Sequence, residues 1–142
     1  MSTKKKSWAE KLLTGKPHIS ILEKPFSGLP IGCKLLISSP LEIHQYLLTQ
    51  VPAGSTLSPA QLRKNLARLH QADATCPVST GIFLRIVAEN ACDELEHGQS
   101  IHQVCPFWRV VAPASTTAKK LRVNSKWLET IRTSETSSSY KT

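Results

Sequence analysis

The sequence predicts a mainly helical domain with a small β component. Three features predict it. Two segments open with serine followed by proline and then place leucines at helical spacing; a short polar turn, Gln71 to Thr75, separates the second of them from a third helical segment; and two brief apolar runs, Lys34–Ser38 and Phe107–Ala112, read as strands. Serine suits the N-cap because its side-chain oxygen accepts an orphan backbone N–H, and proline suits the first helical position because its missing N–H has no partner there anyway.

In chain order, Ser7 caps a short helix from Trp8 to Leu13 that ends at Gly15. Pro17 to Pro30 is punctuated by proline and glycine, with an apolar alternation at Ile19–Leu22. Ser39 and Pro40 open a helix with Leu41, Leu47, Leu48 and Val51 on its apolar face, flanked by Ile43 and Tyr46; Pro52-Ala53-Gly54 stops it. Ser58 and Pro59 open the next, which runs to about His70. Its stripe is Leu62, Leu66 and Leu69, and its opposite face carries Arg63, Lys64 and Arg68. The third runs from Pro77 to about Glu96, with Ile82, Leu84, Ile86, Val87, Ala91 and Leu95 inward and Gly98 at its end. Asn124 or Ser125 caps a last short helix through Arg132. The expected organisation is a disordered basic arm (1–7), one domain (8–132) with a helix-turn-helix at about 58–97, and a disordered Ser/Thr-rich tail (133–142). Helix, helix-turn-helix and strand in this order fit a winged-helix-like domain of the DNA-binding kind.

A chain of 142 residues is the size of one domain and can bury its own core. Its 18 Lys+Arg against 10 Asp+Glu give a formal net charge of +8, which points to a polyanionic partner and says nothing of the fold. No apolar run approaches the roughly 20 residues of a spanning helix, and Trp8–Thr14 is too short and too charged for a signal-peptide core. The expectation is therefore a cytoplasmic protein with no membrane partner, a basic interfacial helix at Lys4–Leu13 being the alternative. Cys33, Cys76, Cys92 and Cys105 form no CxxC pair and read as free thiols.

The most specific segment is Cys105-Pro106-Phe107-Trp108-Arg109-Val110-Val111. It resembles the Pro-Cys-His-Arg-Val active-site motif of the alkylguanine-DNA alkyltransferases (methylated-DNA–protein-cysteine methyltransferases), with Pro106, Arg109 and Val110 matching. Val51-Pro52-Ala53-Gly54 resembles that family's Ile-Pro-Tyr-Gly turn, Gln61-Leu62 its Gln-Ile in the first helix of the helix-turn-helix, and Asn90 falls near its hinge asparagine. With Thr75–Phe83 included, the chain is similar over nearly its whole length to a small bacterial branch that lacks the active-site cysteine. The resemblance implies the family's C-terminal, winged-helix-like DNA-binding fold, with the third helix in the minor groove.

The departures bear on chemistry. Alkyl transfer needs a thiolate activated by a neighbouring histidine. Phe107 stands at the cysteine position and Trp108 at the histidine position, and neither ring can do that work. The resemblance then implies the non-enzymatic role of the alkyltransferase-like proteins, which recognise alkylated bases in DNA and flag them to other repair machinery. On that reading the partners are DNA, including alkylated duplex, and a DNA-repair protein, with no cofactor. Phe107 and Trp108, with Asn90, would line a pocket for a flipped base; the plain alternative is that both rings are packed strand residues. Pro59 stands where the family has its nucleotide-rotating tyrosine. Arg85 is the one arginine of the third helix and is either the finger that enters the duplex or an ordinary solvated side chain.

Cys105 shares a strand face with Phe107 and has His102 nearby, so a displaced Cys–His nucleophile is the enzymatic alternative. A protein-interaction module on the same fold is a third. His97, His102 and Cys105 are metal-ligand types, but no zinc spacing fits them. Asp93, Glu94 and Glu96 read as a solvated helix face. The DNA contacts expected are Arg63, Lys64 and Arg68, Ser79 and Thr80 at the start of the third helix, Arg85, Arg109, and Lys119 and Lys120, with Arg122, Lys126 and the Lys4–Lys6 arm adding charge. Gly81 either admits a close backbone approach or serves helix packing.

Overall fold

The computed structural model describes residues 7–139; the Lys4–Lys6 arm and residues 140–142 lie outside the described residues. The chain is mainly helical, with one small sheet. In order it forms α1 (Trp8–Leu12), β1 (His18–Ile21), β2 (Lys34–Ile37), α2 (Pro40–Gln50), α3 (Pro59–Leu69), β3 (Ala74–Thr75), α4 (Pro77–Glu96), a 3-10 turn (Phe107–Arg109), α5 (Thr116–Lys120) and α6 (Ser125–Ser139).

The helix starts follow from local chemistry. Ser7, Ser39 and Ser58 each accept the backbone N–H three residues on, and Ser7 and Ser58 complete reciprocal capping boxes with Glu10 and Gln61. Cys76 caps α4 in the same way, its Sγ accepting from the Ser79 N–H at 3.5 Å. In the sheet, β1 lies antiparallel to β2, and β3 lies parallel to it with Leu36 opposite Thr75. The segment expected as a polar turn after α3 thus holds a two-residue strand. The Thr75 hydroxyl ties it down by donating to the Arg63 carbonyl at 2.7 Å.

The core is built around α4. Residues 86 to 92 are all buried, so this stretch is enclosed on every side, as a central helix must be. Leu12 reaches it from α1, Ile43, Leu47 and Val51 from α2, Leu62 and Leu66 from α3, and Leu128 from α6. The apolar stripes are shifted from the expected ones. Ile43, expected as a flank, is fully buried, whereas Leu48, Leu69 and Ile82 are exposed. Periodicity marks a helix's apolar side but not where the covering elements stop.

Two expectations are corrected here. Phe107–Ala112 is not a strand: it is the 3-10 turn followed by a bend. Its aromatic and β-branched residues match strand composition, but among the described residues it pairs with no strand. Its backbone groups find other partners instead, Arg132 Nε donating to the Trp108 carbonyl at 2.6 Å and the Leu57 N–H to the Arg109 carbonyl at 2.8 Å. Among the described residues no strand follows α4, so no wing is formed there. The final helix does not stop at Arg132; it continues through the segment expected to be disordered, to Ser139.

No helix among the described residues is long and apolar enough to cross a membrane. In α1, Leu12 is buried and Trp8 half-buried against the core while Leu13 is 70% exposed, and Lys4–Lys6 of the alternative interfacial helix lie outside the described residues.

Candidate nucleic-acid interface

The Pro106–Val111 segment is a packing centre. Phe107 is 0% and Trp108 1% exposed. The Phe107 ring stacks on Trp127 at 6.0 Å, and Trp108 meets both edge-on, at 5.5 and 6.0 Å between centroids. Trp108 and Arg109 border a cleft of about 450 Å³ that Leu48, His102 and Ile131 also line, but Phe107 and Asn90 do not line it. Asn90 is buried in α4 with its amide 3.4 Å from Glu94. The structure does not bring the three expected base-pocket residues together around one cavity.

Arg109, expected at DNA, is turned inward. Its Nε and Nη2 donate to the two Glu135 oxygens at 3.0 and 2.6 Å, and its Nη1 donates to the Val51 carbonyl at 2.8 Å. Trp108 Nε1 donates to the same carboxylate at 2.9 Å. Burial pushes the Glu135 carboxyl up, but the bonds from Arg109 and Trp108 and the charges of Arg109 and His102 outweigh it and hold it below the ordinary carboxylate value. Glu135 was invisible to sequence reasoning because it sits in a polar Ser/Thr-rich tail, 26 residues from its partner.

Cys105 is 2% exposed, and its Sγ lies 3.6 Å from the His44 carbonyl oxygen, which accepts from the thiol. Burial, helped by the negative charge of Glu94 and opposed by Arg109, pushes this thiol up to about 12. His102 is exposed, and no bond joins it to Cys105 among the described residues. A thiol so placed stays protonated and out of reach. In the folded protein at pH 8 we expect Cys105 to resist iodoacetamide and to alkylate only in denaturant; rapid native labelling, read by mass spectrometry, would contradict this. Among the described residues no group of three His, Cys, Asp or Glu side chains is placed to hold a metal. His97 Nδ1 donates to the Asp93 carbonyl at 2.7 Å.

The cations divide into two sets. Arg122 is neutralised by Asp93 and Glu96, each at 2.8 Å, with Glu89 at 3.5 Å. The acidic group expected as a solvated face is therefore largely an arginine clamp. Arg63, Lys64 and Arg68 form no ion pair among the described residues, and they line one cleft of about 480 Å³ that runs past Thr75 to Pro77 at the start of α4. Lys119 and Lys120 stand exposed in the last turn of α5.

The Arg63, Lys64 and Arg68 cleft meets α4 at Pro77, and Lys120 shares a separate cleft with the outer side of its first two turns, where Val78 is 57% and Ile82 56% exposed. Ser79 is half-buried there. Thr80, expected at phosphates or base edges, is buried and donates to the Cys76 carbonyl at 2.7 Å, so it belongs to the helix start instead. Arg85 reaches the same face, held 3.4 Å from Glu89 and over the Trp8 ring at 5.5 Å. Gly81 has no atom within 4 Å of the position a Cβ would take, and its backbone is not in the left-handed region. Internal packing therefore does not account for a glycine inside this helix, where it costs about 1 kcal/mol relative to alanine.

Comparison of the chain with models of known protein families, with curated proteins and with solved structures yields no match.

Proposed function

We propose that this chain is a non-enzymatic DNA-binding protein that engages duplex through the exposed start of α4, with α3 and α4 acting as a helix-turn-helix of the winged-helix-like kind, without the wing. The observation that carries the reading is the placement of the unpaired cations. Arg63, Lys64 and Arg68 share one cleft with Asp73 that reaches α4 at Pro77, and Val78 and Ile82 are exposed on the first turns of that helix. Cations with no internal acid partner are free to replace the counterions of phosphates, which is the main source of affinity for nucleic acid.

The residues quoted for the alkyltransferase resemblance support DNA as the polyanion and a role alongside repair proteins. Buried, protonated Cys105 and the rings at 107 and 108 support binding without alkyl transfer. An altered base would reach Trp108 through the cleft beside α6, which Trp108 lines with Ile131. Buried free thiols fit a reducing cytoplasm.

The test is the triple variant R63A/K64A/R68A. Each of these side chains is at least partly exposed, so the fold should hold. We expect weaker binding to every duplex sequence and a log–log salt dependence shallower by roughly 0.9 for each phosphate no longer neutralised. Unchanged duplex affinity would refute the docking face. Parallel titration with alkylated duplex reads out lesion preference.

A further inference from the structure

A second cleft, of about 630 Å³, runs along the other flank of the α4 face. Its walls come from opposite ends of the chain. α1 supplies Trp8 and Lys11, and α5 supplies Thr117 and Lys120. Its floor is the open side of α4, with Val78, Gly81 and Ile82. None of these wall residues belongs to the motifs quoted for the alkyltransferase resemblance.

We infer that this α1–α4–α5 cleft grips one sugar–phosphate strand of the bound nucleic acid. The inference rests on the DNA-binding reading and adds a strand site to it. Three observations carry it. First, three cations converge: Lys11 Nζ sits 4.3 Å from the Trp8 ring, Arg85 lies over the same ring at 5.5 Å, and Lys120 stands opposite on α5. The Arg85 side chain is 40% exposed, and its contact to Glu89 runs through Nη2 at 3.4 Å. Second, the cleft has the length of a short strand. Val78 to Arg85 advances about 10 Å along the helix axis, room for about two neighbouring phosphates of one strand, the number that Lys11 and Lys120 would neutralise. Third, the floor is apolar and low. Val78 and Ile82 offer contact to sugars, and Gly81 leaves open the space a side chain would fill. The half-buried Trp8 ring closes the wall and holds Lys11 and Arg85 over it, which keeps both cations at the cleft.

The test compares four full-length proteins by anisotropy of a labelled 12-base-pair duplex across a salt series: wild type, K11A/K120A, G81A and R63A/K64A/R68A. For K11A/K120A we expect affinity lower by roughly tenfold or more and a salt slope shallower by about 1.8, two phosphates at 0.9 each. For G81A we expect a Tm equal to or above wild type, because alanine is the better helix former and no internal atom opposes its Cβ, together with affinity several-fold lower. A loss of affinity with unimpaired stability is a result that a merely structural glycine cannot give. If K11A/K120A and G81A bind as wild type does while R63A/K64A/R68A is weakened, the cleft assignment is overturned and the DNA-binding reading stands. If wild type shows no salt-sensitive binding, both fall.

Discussion

Replacing Glu135 by alanine should lower the stability of the domain by about 3 kcal/mol, the cost of removing one partner of a largely buried ion pair. The two side chains of that pair are each only 15% exposed, and the loss would strand the Arg109 guanidinium and the Trp108 indole N–H together. For a domain of this size we expect Tm to fall by roughly 10 °C. Truncation after Arg132 should cost at least as much, since it removes the same carboxylate along with the end of α6. A tail that merely trails in solvent would show neither effect. The pH dependence has a definite sign. Glu135 is held below the ordinary carboxylate value, so its contribution is complete above the unfolded pKa of about 4.3 and is lost as pH falls through the lower folded value. Thermal melts of wild type and E135A should therefore converge as the solution is acidified below pH 4. A constant gap down to that range would contradict the pairing.

The second large effect is at Phe107. With the ring fully buried between Trp108 and Trp127, Phe107→Ala should cost about 3–5 kcal/mol through reduced transfer energy and the cavity left behind. Leucine at the same position should recover part of it. The measurement separates two roles for the ring. If Phe107 lined an accessible base pocket, truncation would change binding to alkylated duplex and leave denaturant unfolding nearly untouched. We expect the reverse order of effects: a large fall in the unfolding midpoint, and equal proportional changes in affinity for plain and alkylated DNA measured well below that midpoint.

The helices were legible because their ends are written locally. Ser39-Pro40 and Ser58-Pro59 announce α2 and α3, and each cap bond spans three residues, within reach of any sequence window. Pro77 marks α4 even though its cap is a cysteine. What escaped is non-local. Phe107–Ala112 has the composition of a strand, but among the described residues it pairs with no strand, and Arg132 and Leu57 take its backbone bonds instead. Composition cast the tail from Thr133 as disordered, although one glutamate in it fixes two core residues.

The site divides in the same way. The cluster Arg63, Lys64 and Arg68 was visible because helical spacing puts Lys64 and Arg68 one turn apart on the side away from the leucine stripe, with Arg63 at its edge. Arg109 looked like another cation, and only its distant partner Glu135 turned it into an interior brace. Trp8 and Lys11 gave no signal of belonging with α4, because nothing in the sequence states that α1 packs there. The exposure of Ile82 is equally a tertiary fact: its place on the apolar stripe predicted burial, and the structure leaves it beside Gly81 on the open face.

On the proposed reading, the positive charge left unpaired around α4 binds nucleic acid through phosphates. The decisive measurement is the affinity of the wild-type chain for a labelled duplex at several salt concentrations. Binding should weaken steeply and linearly on log–log axes, with a slope of roughly −0.9 for each phosphate neutralised and hence near −3 or steeper if the Arg63, Lys64 and Arg68 cluster is engaged. An absence of binding at low salt, or an affinity indifferent to salt, would contradict it.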